Sequence, residues 1–386
     1  MKNYLKFFCG ALFLVCVGLF FANKDKTTNH DVDVLFFCYD LGDSNPMQRV
    51  MKELDKQGIT YKVLALGKAL EIFQSNALKL DLPDVKWDRS KILDATHIKL
   101  VENSINPKIV ITGMASAVQA QVLNLFKKKQ AYTIAFYDNF DTIETAEYVQ
   151  DFLKTVGKID EYFIPSETTL PGFQKLEQTK HSTLSVFGQP ILENWDDVFS
   201  KTNKEELRQK LKVELQDQVL LFAGDYTDTY KEYFRIFVKG VRAFNSSNLK
   251  VFVTYHPKTD GSFEKSVVEE EKISNIRIIE TKEFSTTEIA TIANAFACHK
   301  SSMGIQALYV GLPVIYIVKS GEVRNFAIQQ GIAEQVEKTD DLSAALDRIL
   351  KAANRNQSPV QQNLGIPKNA TARMVTHIKE LLAKKM

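Results

Sequence analysis

Cysteine is scarce in this chain, with four in 386 residues at positions 9, 16, 38 and 298. Their spacing fits neither a disulfide framework nor a metal site, which agrees with a reducing compartment. An excess of one charge is missing as well: 49 Lys and Arg stand against 47 Asp and Glu, for a net charge of +2. A general nucleic-acid binder would gather a basic surplus on one face, so no nucleic-acid partner is expected. The six histidines show no ligand spacing, and no Asp-x-Asp pair follows a predicted strand. Neither a resident metal nor another cofactor is therefore expected.

Long apolar runs are also few. The one of note covers residues 7–22, flanked by Lys2 and Lys6 before it and by Lys24, Asp25 and Lys26 after it. Its length falls between a signal-peptide core and a membrane-spanning helix. Bulky Phe20 two residues before Ala22 makes a poor cleavage signal, and Val15 before Cys16 a poor lipoprotein signal. We expect an uncleaved hydrophobic anchor and spacer over residues 1–30, with membrane association through this single segment. Positive charge on both flanks assigns no orientation.

What is present is a globular composition, 45% hydrophobic and 25% charged, at a length suited to two domains. Residues 31–187 alternate apolar strands (33–38, 61–66, 108–111, 132–136, 162–164, 185–187) with helices (46–57, 115–128, 143–156). Unbroken apolar runs are the mark of strands buried on both faces of a parallel sheet, and right-handed crossovers then make the strands parallel. Residues 39–45 read as a loop, with Pro46 in the first turn of a helix. Residues 188–204, including Gly188-Gln189-Pro190 and Asn194-Trp195-Asp196-Asp197, show neither strand nor long helix and read as an interdomain linker. The alternation resumes over 205–369, with strands at 219–223, 250–254, 276–279, 296–298 and 314–318, and an amphipathic helix closes the chain over 370–386. The expected fold is α/β, with two Rossmann-like doubly wound domains facing a cleft. In such sheets ligands bind beyond the carboxyl ends of the strands.

The most informative stretch is ACHKSSMGIQALYVGLPVIYIV, residues 297–318. Ser301, Ser302 and Gly304 stand where a strand gives way to a helix, so backbone N–H groups and hydroxyls converge on a point that favours a phosphate. Small residues at Ala307, Gly311 and Pro313 let that helix lie close to the sheet. Here the sequence resembles the C-terminal domain of GT-B-fold nucleotide-sugar enzymes, in which a Ser-Ser/Gly-x-Gly-x-x-Glu-Ala-x-x-x-Gly-x-Pro-Val-Ile run cradles the donor diphosphate and ribose. Ser301, Ser302, Gly304, Ala307, Gly311, Pro313, Val314 and Ile315 match that run, while Gln306 stands where many members have Glu.

The resemblance implies further assignments. Gly224 occupies the first loop of the donor domain, and His256-Pro257 follows the next strand, where a diphosphate or sugar hydroxyl would lie. Lys300 would meet the leaving diphosphate, supplying charge that a metal supplies elsewhere. On the acceptor side stand Gly42, Asp43, Gly113, Ser116 and Asp138, in loops after the first, third and fourth strands. An inverting transferase needs a general base, and Asp43 is the expected one, with His256 as the second catalytic candidate.

The function so implied is transfer of a sugar or related group from a nucleotide-activated donor to a cell-envelope glycan or lipid-linked acceptor, without a metal, with the catalytic part on the cytoplasmic side. Members with similar loops also include nucleotide-sugar epimerases. A leader followed by two α/β domains is equally the order of exported solute-binding proteins, a rival that Gln306 favours and the single linker disfavours. A relative that kept the fold without activity would read the same.

Overall fold

The computed structural model describes residues 30–385 except 76, 84–87, 145, 281, 323–324 and 354–363. The apolar run at 7–22 lies outside the described residues; among those described, no helix is long and apolar enough to cross a membrane.

Two six-stranded sheets, parallel in every pairing, organise the chain. The first runs β2-β1-β3-β4-β5-β6, built from β1 (His30–Cys38), β2 (Tyr61–Ala65), β3 (Ile105–Thr112), β4 (Tyr132–Phe136), β5 (Glu161–Ile164) and β6 (Thr183–Val186). The second runs β12-β11-β10-β7-β8-β9, from β7 (Gln218–Ala223), β8 (Leu249–Thr254), β9 (Ile276–Ile279), β10 (Ala295–Cys298), β11 (Val314–Ile317) and β12 (Glu334–Val336). Strand order reverses between β1 and β3 in one sheet and between β7 and β10 in the other. At such a switch point the flanking loops part and leave a crevice.

Both faces of each sheet are covered, which is why the strands lack polar alternation. Along β1, Leu35 and Phe37 join one core while Val34, Phe36 and Cys38 join the opposite one. Along β7, Val219 and Leu221 face one core and Leu220 and Phe222 the other.

Several elements differ from the sequence reading. The first helix spans Leu41–Lys56 and takes in the expected loop, with Pro46 inside it. Asp40 and Asp43 form a capping box that starts the helix five residues before the proline. The expected linker contains a helix, Glu193–Lys201, whose Trp195 is buried in the second domain's core. The helix expected over 143–156 is a 3₁₀ turn, Glu147–Val149, followed by a short helix, Gln150–Thr155; the helix Ser262–Glu270 had no counterpart in the sequence reading.

The closing helix, Ala370–Lys385, returns to the first domain. Its Met374, Val375 and Ile378 pack in one core with Met47 and Met51, and His377 Nε2 lies 2.8 Å from the buried carboxylate of Glu161. The chain thus crosses between the domains twice. The crossings touch at Gly188, whose φ of +92° admits the Pro367 carbonyl where a side chain would otherwise project.

Candidate functional site

The carboxyl ends of β1, β3 and β4 supply the first wall of the crevice. Asp43, the expected base, lies in the first turn of the helix, and its carboxylate accepts from the Tyr39 N–H at 3.1 Å, the Asp40 N–H at 3.1 Å, the Ser44 hydroxyl at 3.2 Å and the Gln119 amide at 2.7 Å. Burial, with the Asp138 charge second, pushes its carboxyl up to about 7. Gly113 abuts it so closely that any Cβ there would overlap the carboxylate. Ser116, fully buried, donates to Gln119 Oε1 at 3.2 Å. Asp43, Gly113 and Ser116 therefore sit together behind the wall. Their joint work is to hold the turn.

Asp138, at the end of β4, reaches the crevice. Its carboxylate occupies the space that a side chain on Gly42 would fill, against the first turn of the helix. Burial, followed by the neighbouring Asp40 carboxylate, raises its carboxyl to about 6, and the Arg89 guanidinium opposes that rise. Arg89 itself is paired with Asp40 at 2.9 Å. A carboxylate tuned toward neutral pH at a cavity wall is suited to taking a proton from a hydroxyl.

The second wall comes from the ends of β7, β8 and β10. Gly224 brings its backbone against Thr254 and Tyr255: an added Cβ would lie 2.9 Å from the Thr254 carbonyl and 3.0 Å from the Tyr255 Cα. Asp225 closes the next turn on the Tyr226 N–H at 2.6 Å. His256 Nδ1 accepts from the Lys258 N–H at 3.1 Å, which assigns the neutral ring's proton to Nε2. Burial, then Lys258, lowers the basicity of that ring. Exposed Tyr226 stands between this imidazole, 4.4 Å away centroid to centroid, and the Lys258 ammonium, 3.8 Å from its ring centre.

Around the serine turn the geometry is more closed than the sequence suggests. Met303 N–H donates to Ser301 Oγ at 3.2 Å, Gly304 N–H to the Ser301 carbonyl at 3.1 Å and Ile305 N–H to the Ser302 carbonyl at 3.1 Å. The expected convergence of unpaired N–H groups is thus partly taken up within the turn. Ser302 is exposed and makes no side-chain cap. Lys300 is paired with Glu322 at 3.0 Å. His299 is buried between Thr229 and the Ile317 carbonyl and stacks on Tyr233, a packing role.

Between the walls lies a cavity of about 260 Å³, lined by Leu41, Gly42, Asp138, Asn139 and Gln189 on one side and Ser302 and Gln306 on the other. Of the expected residues it unites Gly42, Asp138, Ser302 and Gln306; Asp43, Gly113, Ser116, Gly224, His256, Lys300, Ser301 and Gly304 do not line it. Gln189, which sequence reasoning left as linker, donates from Nε2 to the Asp138 carbonyl at 2.6 Å, while its Oε1 is buried with no partner among the described residues. Gln306 accepts from Trp195 Nε1 at 2.7 Å. A larger groove of about 1080 Å³ along the first helix shares Asn45 and Ile191 with the cavity. Among the described residues no group of three His, Cys, Asp or Glu side chains is placed to hold a metal ion.

No family model matches the chain, and no curated protein matches its sequence. Solved structures do. The UDP-GlcNAc 2-epimerase of Neisseria meningitidis, bound to UDP-GlcNAc, superposes with a TM-score of 0.61 at 13% identity over 90% of this chain and 100% of its own. The UDP-GlcNAc 2-epimerase of Methanocaldococcus jannaschii gives 0.63 at 14% over 90% and 99%. The wall teichoic acid polymerase TagF, in a structure with CDPG, gives 0.55 at 11% over 94% and 91%. The chain has the GT-B fold, as the serine turn and the His-Pro loop implied.

Proposed function

We propose that this protein is a GT-B enzyme that binds a nucleotide-activated sugar between its domains and transfers the sugar, or a related group, to a hydroxyl of a second substrate. The observation that carries the reading is the cavity in which Asp138 of the first domain meets Ser302 and Gln306 of the second. Asp138 acts as the general base. In its ionised form it takes the acceptor hydroxyl's proton as that oxygen attacks the anomeric carbon and the nucleoside diphosphate departs. The second-domain wall, with Ser302, Tyr226 and His256, binds the donor; His256 in its Nε2–H form donates to a diphosphate oxygen. The solved structures with UDP-GlcNAc and CDPG support a nucleotide-linked ligand for this fold.

Transfer is favoured over epimerisation by the groove that adjoins the cavity at Asn45 and Ile191. An epimerase needs no second substrate route; a transferase does. The acceptor we propose is a cell-envelope glycan or lipid-linked intermediate, reached from the membrane through the segment at 7–22, with the catalytic domains on the cytoplasmic side.

Thermal unfolding of the protein against uridine, cytidine and guanosine diphosphates and their sugars tests the reading. A ligand at about 100 times its Kd raises native stability by about 2.7 kcal/mol. A shift lost in Ser302→Trp supports the donor site, whereas no shift with any nucleotide rejects it. NMR of bound UDP-GlcNAc then separates the reactions: a C2 epimer appearing without acceptor would replace transfer with epimerisation.

A further inference from the structure

Among the amides that line the cavity, two glutamines on opposite walls, Gln189 and Gln306, are each oriented by a partner that can bond in only one sense. The Asp138 carbonyl is an acceptor, so the nitrogen of Gln189 must face it and Oε1 must face away. The indole N–H of Trp195 is a donor, so the oxygen of Gln306 must face it and Nε2 carries the remaining hydrogens. The usual ambiguity of a glutamine amide is thereby removed on both walls. Gln189 is 2% exposed, and its Oε1 has no partner among the described residues. A buried amide oxygen without a donor is costly, and a ligand N–H or O–H would relieve it.

We infer that Gln189 and Gln306 form an acceptor–donor pair that selects a single hydroxyl on the sugar of the bound donor. Only a group that both donates and accepts satisfies the two together: its proton goes to Gln189 Oε1 and its oxygen receives Gln306 Nε2–H. A carboxylate or phosphate oxygen would leave Gln189 unsatisfied, and an ammonium would leave Gln306 so. A hydroxyl satisfies both. The cavity volume of about 260 Å³ suits a monosaccharide unit more than a whole nucleotide. Trp195 sets the orientation of Gln306 from the helix between the domains and is a positioning residue.

This rests on the nucleotide-sugar reading above, and the test separates the two. Affinities of the full chain are measured for UDP, UDP-GlcNAc and the 3-, 4- and 6-deoxy forms of UDP-GlcNAc. One deoxy position is expected to weaken binding by about 10-fold or more in the wild type, within the range for a lost hydrogen bond that strands buried polar groups. In Gln189→Met and in Gln306→Met the same deoxygenation is expected to cost less than about 3-fold, because the partners have gone. Trp195→Phe keeps the ring and removes the N–H, and should lower the penalty partway. Circular dichroism confirms that each variant is folded, and Gln306→Leu, which has no polar atom to offer the hydroxyl, serves where a methionine variant is not folded; the penalty should again fall. A penalty that persists unchanged in the variants, or no deoxy penalty at any position, overturns the pair while leaving nucleotide binding intact. Absence of binding by uridine, cytidine and guanosine diphosphates and by all of their sugars overturns the parent reading and the pair with it.

Discussion

Gly42 and Asp138 meet on the first wall of the crevice, the carboxylate of one filling the space where the other would carry a Cβ. The carboxylate proposed as the base is placed by the absence of a side chain. Gly42→Ala should displace Asp138 and reduce turnover by about 10-fold to 100-fold, in line with a misplacement of about 1 Å at a reacting group. Overpacking of this kind costs roughly 1–3 kcal/mol of stability. Steady-state kinetics beside a thermal melt would show a rate loss larger than the melt alone accounts for.

Asp138→Asn should cut turnover by about 10²–10⁴-fold with the fold intact. In the wild type, kcat/KM should rise with pH through about 6, where the carboxyl ionises, and then level off. The variant's residual rate should lack that limb. Stability moves in the opposite sense. A carboxyl whose folded value lies above its unfolded value holds a proton that the unfolded chain releases, so its contribution is complete below about pH 4 and is lost as pH rises through about 6. The melting temperature of Asp138→Asn relative to wild type should therefore increase from pH 4 to pH 7.

Asp43 serves four donors at once, two of them backbone N–H groups of the helix start. Asp43→Ala strands those donors and should cost about 3 kcal/mol or more, readily seen as a lowered urea midpoint. Were Asp43 instead the proton acceptor, Asp43→Asn would abolish turnover while leaving stability near wild type.

Gly304 lies directly over the Tyr316 hydroxyl, which is buried without a hydrogen-bond partner among the described residues. Gly304→Ala should destabilise the second domain by roughly 1–3 kcal/mol. Tyr316→Phe should be neutral or stabilising, since it removes an unsatisfied polar atom. The double variant should recover only part of the loss, because the ring carbon that bore the hydroxyl still lies 2.5 Å from the added Cβ, and denaturant unfolding of the four proteins closes the cycle.

Much of this architecture is legible in the residues. The apolar runs of β1, β7 and β11 announce parallel strands, and the 297–318 stretch carries the fold through its serine turn and Gly311–Pro313 corner. Pro46 misleads because proline favours a first turn, whereas the Asp40–Asp43 pair, three residues apart, is the stronger start signal. The sequence likewise does not separate Asp43 from Asp138: both follow strands of the first sheet, and only packing shows that the Asp43 carboxylate is saturated by donors while Asp138 lines the cavity. Gln189 and Trp195 fall in a segment with no strand pattern. Their partners, Asp138 and Gln306, lie 51 and 111 residues away in the chain. No local spacing encodes such pairs.

The return of the closing helix to the first domain has a mechanical consequence. Two bodies joined by one tether can swing and twist freely; joined by two that touch at Gly188 and Pro367, they keep chiefly rotation about the line of contact. Any opening or closing of the crevice would then be motion on a pivot. Arg49 spans it, reaching from the first helix to Glu193 and Asp197 beside the pivot. The lever arm is longest at the mouth of the crevice and shortest at this joint. A small angular change here would be a large change in gap there, so the width of the crevice is geared to the packing of a single glycine.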